Sequence, residues 1–597
     1  MTNDEMMEMI YTPDTVIKRA TEEYIENARA DEDTYLAMPL DTLAADLTRV
    51  VNGEIAKVNE ELKYRRDTLM AEKEKAKGDP GKLAELSQIV VEQNIKMLAS
   101  PNPYMLASVI MFKHHVIRMN YGTSDSNSTD MCPLAVYNDS GHDEGIYTTD
   151  NDTIESIIRD ACPTIVQRDV NEAKAFLRAM APVKFRSNDR NLIALNNGVF
   201  DYETKMLLGF DPEWVFASKI GTDYNENAKN VFIHNDEDGT DWDFDSWLEE
   251  LSDEPEAPKL LWQIIGAAVR PNTAWNQAAF FYSTKGNNGK GTLCELIRGV
   301  VGKRNCCSLS LDSLGREFML TPLLKASAII TDENNVGEYL ERTANLKAII
   351  TGDALNINIK HRDPVSYTFR GFMIQCLNDA PKFRDKTDSM LRRIIFVPFD
   401  KCFTGRERKY IKEDYLKRKY IKEDYLKRKE VREYVLKHVL EDIPDYYSIE
   451  VPQYCKDALD DFRLSNDNVA EFLSEVLDEL TWDAISWKEL YSFYRGWLRR
   501  YGSGDSGRGC VKYRDFRNSV RNILDTGTYG WEYHPGDGQF MVDAAYHAAV
   551  EPLIKELDIK DLSNVGNSAT ADHIDSLKGI TTKIRGIRRL DGAYAAA

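Results

Sequence analysis

The sequence predicts a mixed α/β protein: an α/β core, preceded by a helical and α+β region and followed by a helical or winged-helix module. Three observations carry that reading. From about Ala278 to Phe399, short apolar runs alternate with amphipathic stretches, the pattern of strands alternating with helices. One of those runs feeds a Gly/Asn-rich loop that opens a helical pattern. The chain has 597 residues, a length that calls for several domains.

The expected organisation follows from shifts in texture. Residues 1–130 read as a helical N-terminal region, with apolar residues recurring among Glu and Lys from Asp41 to about Ser100 and a break at Gly78-Asp79-Pro80-Gly81. Residues 131–240 read as an α+β domain. There CPLAVYNDSGHDEGIYTT suggests a hairpin, and two apolar runs flank Asn196-Asn197-Gly198. A helical pattern returns from Trp242 to Val269, within a core assigned to 241–405. Residues 406–466 form a basic helical segment with a perfect tandem repeat, KYIKEDYLKR at Lys409–Arg418 and again at Lys419–Arg428. Ten residues at about 3.6 per turn do not return to the same helix face, so the second copy does not extend the buried stripe of the first. Residues 467–548 carry three amphipathic segments and then a Gly-turned hairpin over Tyr529 to Val542, which suggests a winged-helix module or a helical lid. The third segment holds Lys512, Arg514, Arg517 and Arg521, residues suited to a nucleic-acid groove or to an ordinary basic face. Residues 549–597 read as a flexible tail with a basic cluster at Lys583 to Arg589.

Composition narrows the function classes. Acidic residues outnumber basic ones by 97 to 76, a net charge of −21, which disfavours a protein that coats nucleic acid with its whole surface. A small basic inner surface remains compatible, because net charge does not describe a local site. Apolar stretches are too short to cross a bilayer, and the acidic start MTNDEMMEMIYTPD lacks a signal pattern. The expected place is the cytoplasm of a bacterium or an infected host, without a membrane partner. Nine cysteines show no C-x-x-C pair and no zinc spacing, so reduced, buried thiols are expected.

The chemistry concentrates in AAFFYSTKGNNGKGTLCELIRGVVG. An apolar run, Ala278–Ser283, leads through a Gly/Asn-rich loop into a helix starting near Thr292, the order of a phosphate-binding loop. Backbone N–H groups and the helix start offer partial positive charge to phosphates, and Lys290 adds a full charge. The candidate cradle is Thr284, Gly286, Asn287, Asn288, Gly289, Lys290, Gly291 and Thr292. It departs from G-x-x-x-x-G-K-[ST] twice: Thr284 replaces the first glycine, and Gly291 occupies the usual hydroxyl position, with Thr292 one residue later. Downstream, ASAIITDENN delivers Asp332 and Glu333 at the end of an apolar run. Asp332 is placed to hold a magnesium-bound water, and Glu333 to orient or deprotonate an attacking water. GFMIQCLNDAP ends in Asn378, a carboxamide able to bond both a γ-phosphate and that water. Arg392 and Arg393 precede the last apolar run, IIFVPF, where an arginine can act on a neighbouring subunit's nucleotide.

The order and compactness of this set, from Lys290 to Arg393, resemble superfamily 3 helicases, an AAA+ branch, and within it the phage and poxvirus-type primase-helicases. The resemblance covers roughly Asn191 to Phe399, including a preceding domain from Asn196-Asn197-Gly198-Val199 to Asp223-Tyr224. It implies an AAA+ P-loop motor core working as a hexameric ring with ATP and Mg²⁺, on single-stranded or forked DNA. Magnesium would be held by Asp332 and Thr292, or by Asp332 and water if Thr292 is displaced. Either Arg392 or Arg393 would be the finger. The segment LNINIKHRDPVSYTF would form a channel-lining hairpin with Lys360, His361 and Arg362 on the DNA backbone. The implied function is an ATP-dependent replicative helicase for phage or mobile-element DNA, with a separate primase or replication protein as a further implied partner. The alternative is an ATP-gated origin-binding clamp or loader. Many relatives carry a primase domain with strand-borne paired aspartates. Here Asp150-Asn151-Asp152 has the spacing but reads as a turn, so no priming activity is expected.

Overall fold

The computed structural model describes residues 11–89, 91–122, 132–236, 239–284, 286–316, 318–334, 339–340, 343–360, 364–378, 382–383, 388–403, 424–466, 468–501, 510–525, 527, 529–543, 551–559 and 580–590. The helical start is built on one long helix, Leu40–Lys75. Its residues Leu43, Leu47, Val51, Ile55, Val58 and Leu62 are buried, a stripe at three- to four-residue spacing that packs against helices Pro13–Ala30 and Pro103–Lys113. The break falls where the sequence places it. A short 3₁₀ turn covers Ala76–Gly78, and the Asp79 carboxylate accepts the N–H groups of Gly81 and Lys82 to start the next helix at Pro80.

A four-stranded sheet follows, in the order 147–148, 134–137, 116–120, 183–185, with helices Asn151–Ala161 and Gln167–Met180. Strands 134–137 and 147–148 pair antiparallel, as the hairpin reading requires. Asp150 does not sit in a simple turn. Its carboxylate caps the helix Asn151–Ala161 by accepting the Thr153 N–H at 3.1 Å, because a short acidic side chain ahead of a helix satisfies one of its orphan donors. The Asn196-Asn197 turn joins antiparallel strands 192–195 and 198–201.

The centre of the molecule is a five-stranded sheet in the order 306–307, 328–331, 372–377, 278–282, 394–398, parallel at every pairing. Both faces are covered, as parallel sheets require. Alternate residues of each strand enter opposite cores. Ala279, Phe281, Ile374, Cys376, Ile395 and Val397 face helices 257–269, 290–301 and 429–437. Ala278, Phe280, Met373, Leu377, Ile394 and Phe396 face the other side, where Phe462 stacks on Phe396 with ring centroids 5.0 Å apart.

Two expectations for the C-terminal part are corrected. The segment 531–543 is not a hairpin: strand 531–533 pairs with 586–589, and strand 540–543 pairs with 581–584. The region after 549 is therefore not simply a flexible tail. Leu553, Ile554, Leu557, Ile559 and Ile587 share one buried cluster with the three helices 468–479, 487–501 and 513–524. The apolar residues of these strands need a partner edge, and among the described residues the distant 581–589 segment supplies it. Most of the tandem repeat lies outside the described residues. At its end, Tyr425 and Leu426 are buried in the core. Among the described residues no helix is long and apolar enough to cross a membrane.

Candidate functional site

The connection order makes a crevice. Strand 278–282 lies between strands 372–377 and 394–398. The chain leaves it toward 306–307 on one side, and only the last strand, 394–398, lies on the other. Open α/β sheets bind ligands at such a switch, outside the carboxyl ends of the strands. The strand Ala278–Tyr282 opens there into the loop 283–289, and the loop into the twelve-residue helix Lys290–Val301. The loop turns through two left-handed residues, Asn287 at φ 53° and Gly289 at φ 87°. Gly289 fits both the conformation and the space, because a Cβ there would meet Leu251 Cδ2 at 2.6 Å. At Gly286 and Gly291 an added Cβ would meet no atom within 4 Å. Both border open space at the start of the helix.

Lys290 is only 4% exposed. Its Nζ donates to the Ser283 carbonyl, the Leu377 carbonyl and Asn378 Oδ1, each at 3.2 Å. All three partners are neutral, and burial pushes the Lys290 pKa below the ordinary lysine value. A cation held this way retains an uncompensated charge at the helix start, which favours an anion in the crevice. Asn288 is buried and its Oδ1 accepts the Lys290 N–H at 3.3 Å. Thr292 is half-buried and Thr284 exposed.

The acidic pair and the carboxamide reach the same sheet edge. Asp332 and Glu333 follow strand 328–331, Asn378 follows strand 372–377, and all three are exposed. Asp332 is engaged by Arg298, whose Nη1 donates to Oδ2 at 2.7 Å while Nη2 donates to the Ile330 carbonyl. Arg392 and Arg393 lie at the opposite edge. The Arg393 carbonyl accepts the Ala278 N–H, so a strand of five residues, about 16 Å at roughly 3.3 Å per residue, separates them from Lys290. The hairpin over 354–368 forms, with Ala354 opposite Thr368 and Ile357 opposite Val365. Lys360 is exposed beyond its first strand. His361, Arg362 and the loop residue Lys285 lie outside the described residues. On the helix 513–524, Arg517 and Arg521 both pair with Asp537 and lie over the Trp487 ring. One carboxylate thus offsets one of these two charges, and Lys512 and Arg514 are exposed.

Sequence reasoning missed several residues around the crevice. Cys294 and Cys376 meet behind Lys290 with sulfurs 3.3 Å apart. That hydrogen bond and burial hold the Cys294 thiol well above its ordinary pKa. The two sulfurs and an Asp332 oxygen lie within 4.8 Å of one another, and two thiols are poor company for magnesium, which prefers oxygen. The spacing carried a signal: Cys294 is four residues after Lys290 on one helix face, and Cys376 two before Asn378 on one strand face. Asn334 also went unnoticed. It donates to Gln375 Oε1 and the Cys376 carbonyl, both at 3.0 Å, and so ties the acidic strand end to its neighbour.

A parallel-sheet α/β protein with polar groups gathered at one carboxyl edge is the class that fold and site define. Comparison with known proteins narrows it. Residues 113–253 match the family described as D5 N terminal like, and residues 464–549 the one described as Poxvirus D5 protein-like. Residues 281–393, which hold the crevice, match a family of unknown function, DUF5906. The chain is 27% identical over 235 residues to "Putative helicase 121R" of Invertebrate iridescent virus 3, a match covering 36% of this chain and 23% of that protein. The chain thus spans about a quarter of that relative. Among solved structures, the A form apo structure of the NrS-1 C terminal region aligns over 80% of this chain and 94% of that one, with 13% identity and a TM-score of 0.38. The apo structure of the NrS-1 C terminal region (305-718) aligns over 63% and 81%, with 13% identity and a TM-score of 0.37. Each match covers a minority of the chain, which is similar to D5-type proteins over 113–253 and 464–549 and to the viral helicase over 36% of its length.

Proposed function

We propose that the chain is an ATP-dependent DNA helicase of the replicative kind, working as a ring of identical subunits. The observation that carries the reading is Lys290: a buried, uncompensated ammonium at the start of a helix, within 3.2 Å of Asn378 Oδ1, at the switch point of a parallel sheet. ATP phosphates would lie over the loop 284–292, on Lys290 and the backbone N–H groups of the helix start. The donor set fits a polyphosphate, since Gly286 and Gly291 border open space and no carboxylate competes for Lys290 among the described residues. Mg²⁺ would supply charge neutralisation between phosphates, with Asp332 and Thr292 as its protein partners. For that, Asp332 must exchange part of its bond to Arg298. Glu333 and Asn378 would position the attacking water.

Arg392 and Arg393 stand a strand length from their own Lys290, so they suit a neighbour's nucleotide better than their own. That arrangement favours a ring. Lys360, with His361 and Arg362, would meet DNA phosphates at the tip of the 354–368 hairpin. The match to the viral helicase supports the class of activity but spans little of that protein.

The test is ATP turnover with and without single-stranded DNA, for the parent and for Glu333→Gln. DNA-stimulated turnover in the parent, reduced at least about a hundredfold by the substitution, supports the motor. ATP binding without DNA-stimulated turnover would instead favour the clamp or loader.

A further inference from the structure

Behind the crevice, three potential ligand atoms converge from three elements. Cys294 comes from the helix 290–301, Cys376 from the strand 372–377, and Asp332 from the end of the strand 328–331. The two sulfurs are 3.3 Å apart, and the sulfurs and one Asp332 oxygen all lie within 4.8 Å of one another. Among the described residues this is the one group of three or more His, Cys, Asp or Glu side chains that converges so closely. Cys294 is 0% and Cys376 2% exposed, whereas the Asp332 side chain is 43% exposed. Two thiols in contact behave as small hydrophobes, but packing asks for no carboxylate beside them. The cluster is closed at its sulfurs and open to solvent at its oxygen, which gives an ion a way in.

The donor types say which ion. Two sulfurs and a carboxylate suit the borderline-soft zinc class, not magnesium or calcium, which take oxygen. Zn–S bonds of about 2.3 Å in a tetrahedron space two sulfurs about 3.8 Å apart, so Cys294 and Cys376 must part by about 0.5 Å. The Asp332 oxygen must close by at most about 1.3 Å, toward the roughly 3.5 Å sulfur–oxygen spacing of such a tetrahedron. Small side-chain rotations cover both shifts. Binding also leaves the local charge unchanged. Each thiol releases its proton to water as it ligates, so two protons leave as one divalent ion enters, and Lys290 and Arg298 face the same net charge as before. Arg298 Nη1 donates to Oδ2 of Asp332 at 2.7 Å, and a carboxylate has a second oxygen to offer an ion. Three protein ligands leave a fourth position for water.

We propose that Cys294, Cys376 and Asp332 form a binding site for a divalent cation of the zinc class, with water as the fourth ligand. The assignment does not depend on ATP hydrolysis. One consequence does rest on the motor reading: Asp332 cannot serve this ion and a nucleotide-bound magnesium at once, so occupancy slows ATP turnover.

The test uses the full chain, reduced and stripped with a chelator. Zn²⁺ is titrated in competition with a chromophoric chelator, and Co²⁺ serves as a spectroscopic probe. The expected result is one tight equivalent, with thiolate-to-cobalt charge-transfer bands and the intense visible bands of a tetrahedral ion. Cys294→Ala and Cys376→Ala should each weaken Zn²⁺ binding at least about a hundredfold, beyond the roughly 10–100-fold lost with an outer partner of a metal ligand, and Asp332→Asn at least about tenfold. The paired change Cys306→Ser/Cys307→Ser, at two adjacent half-buried thiols, should leave binding as it was. Unfolding midpoints check folding. Asp332 is exposed, so its variant keeps the test decisive where a cysteine variant does not fold. The proposal is overturned by the absence of a tight equivalent or by cobalt bands without thiolate character. It is equally overturned by binding that survives in Asp332→Asn or a folded cysteine variant, or that is lost with Cys306 and Cys307. None of these readouts measures turnover, so failure here leaves the motor reading untouched, and a chain without turnover can still bind the ion.

Discussion

Single residues carry the charge bookkeeping of this protein. Among the described residues Lys290 and Arg370 have no carboxylate partner and lie at opposite edges of one sheet, whereas Arg517 and Arg521 share the one carboxylate of Asp537. His438 shows how burial couples to stability. It lies on the Trp262 ring with centroids 4.1 Å apart, and burial depresses its pKa from 6.5, against the opposing pull of Asp245 and Asp442. His114 is depressed from the same value, again chiefly by burial. A depressed folded pKa means the unfolded chain binds the proton first as pH falls. The contribution of these residues is therefore complete above 6.5 and is lost as pH drops through the folded values. Unfolding midpoints should fall on acidification below about 6.5, and His438→Phe, which keeps the stack on Trp262, should flatten part of that slope. An unchanged slope in the variant would show that His438 is not a source. The positions of Asp332, Glu333 and Asn378 were legible in sequence because each follows an apolar run, and that of Lys290 because it closes a Gly/Asn-rich loop before a helical pattern. The Cys294–Cys376 contact and the Arg186–Arg370 pair were not, since each joins segments 82 and 184 positions apart.

At the scale of the element, the loop 283–289 is fixed by backbone geometry more than by side chains. Gly289→Ala would place a Cβ at positive φ and 2.6 Å from Leu251 Cδ2. It should cost about 1–2 kcal/mol for the left-handed conformation alone, read in denaturant unfolding, with weakened ATP binding. Gly291→Ala tests the opposite case. That residue is helical and its Cβ would enter open space, so stability should rise by about 0.5–1 kcal/mol while nucleotide affinity falls, if phosphates occupy that space. Equal losses of stability in both variants would show that the space is not what matters. The strand, loop and helix order was readable because periodicities of two and 3.6 are local. The hairpin over Tyr529 to Val542 was misread for the same reason. Two apolar runs around glycines look like mutual partners, yet their edges pair with 581–584 and 586–589.

Among the described residues, the larger buried clusters belong to the N-terminal helices, the two faces of the central sheet, and the C-terminal unit closed by its last strands. Deleting residues after 579 removes Ile584 and Ile587, which are 6% and 0% exposed. A buried isoleucine lost is worth about 2–5 kcal/mol, so limited proteolysis should digest 468–559 first and spare the central sheet. Survival of that segment in the truncated chain would show that the pairing is dispensable. The ring reading makes a different whole-molecule prediction. Lys290→Ala chains and Arg392→Ala/Arg393→Ala chains, each inactive alone, should regain turnover when mixed, because a neighbour supplies what each lacks. No recovery on mixing would place the arginines outside the catalytic step.

The sequence by itself determined the local grammar of this protein: the α/β core, the break at 78–81, the Asn196-Asn197 turn, the loop-to-helix junction at Lys290, and the strand ends followed by Asp332, Glu333 and Asn378. These follow from short-range periodicity and turn chemistry, which act within a few residues. Only the tertiary structure decided the strand order, the edge to which each charged group goes, the return of residues 581–589 to close the C-terminal unit, and the meeting of Cys294, Cys376 and Asp332. Those depend on which distant apolar faces bury one another, and the free energy of that choice is shared among segments with no local trace of their partners.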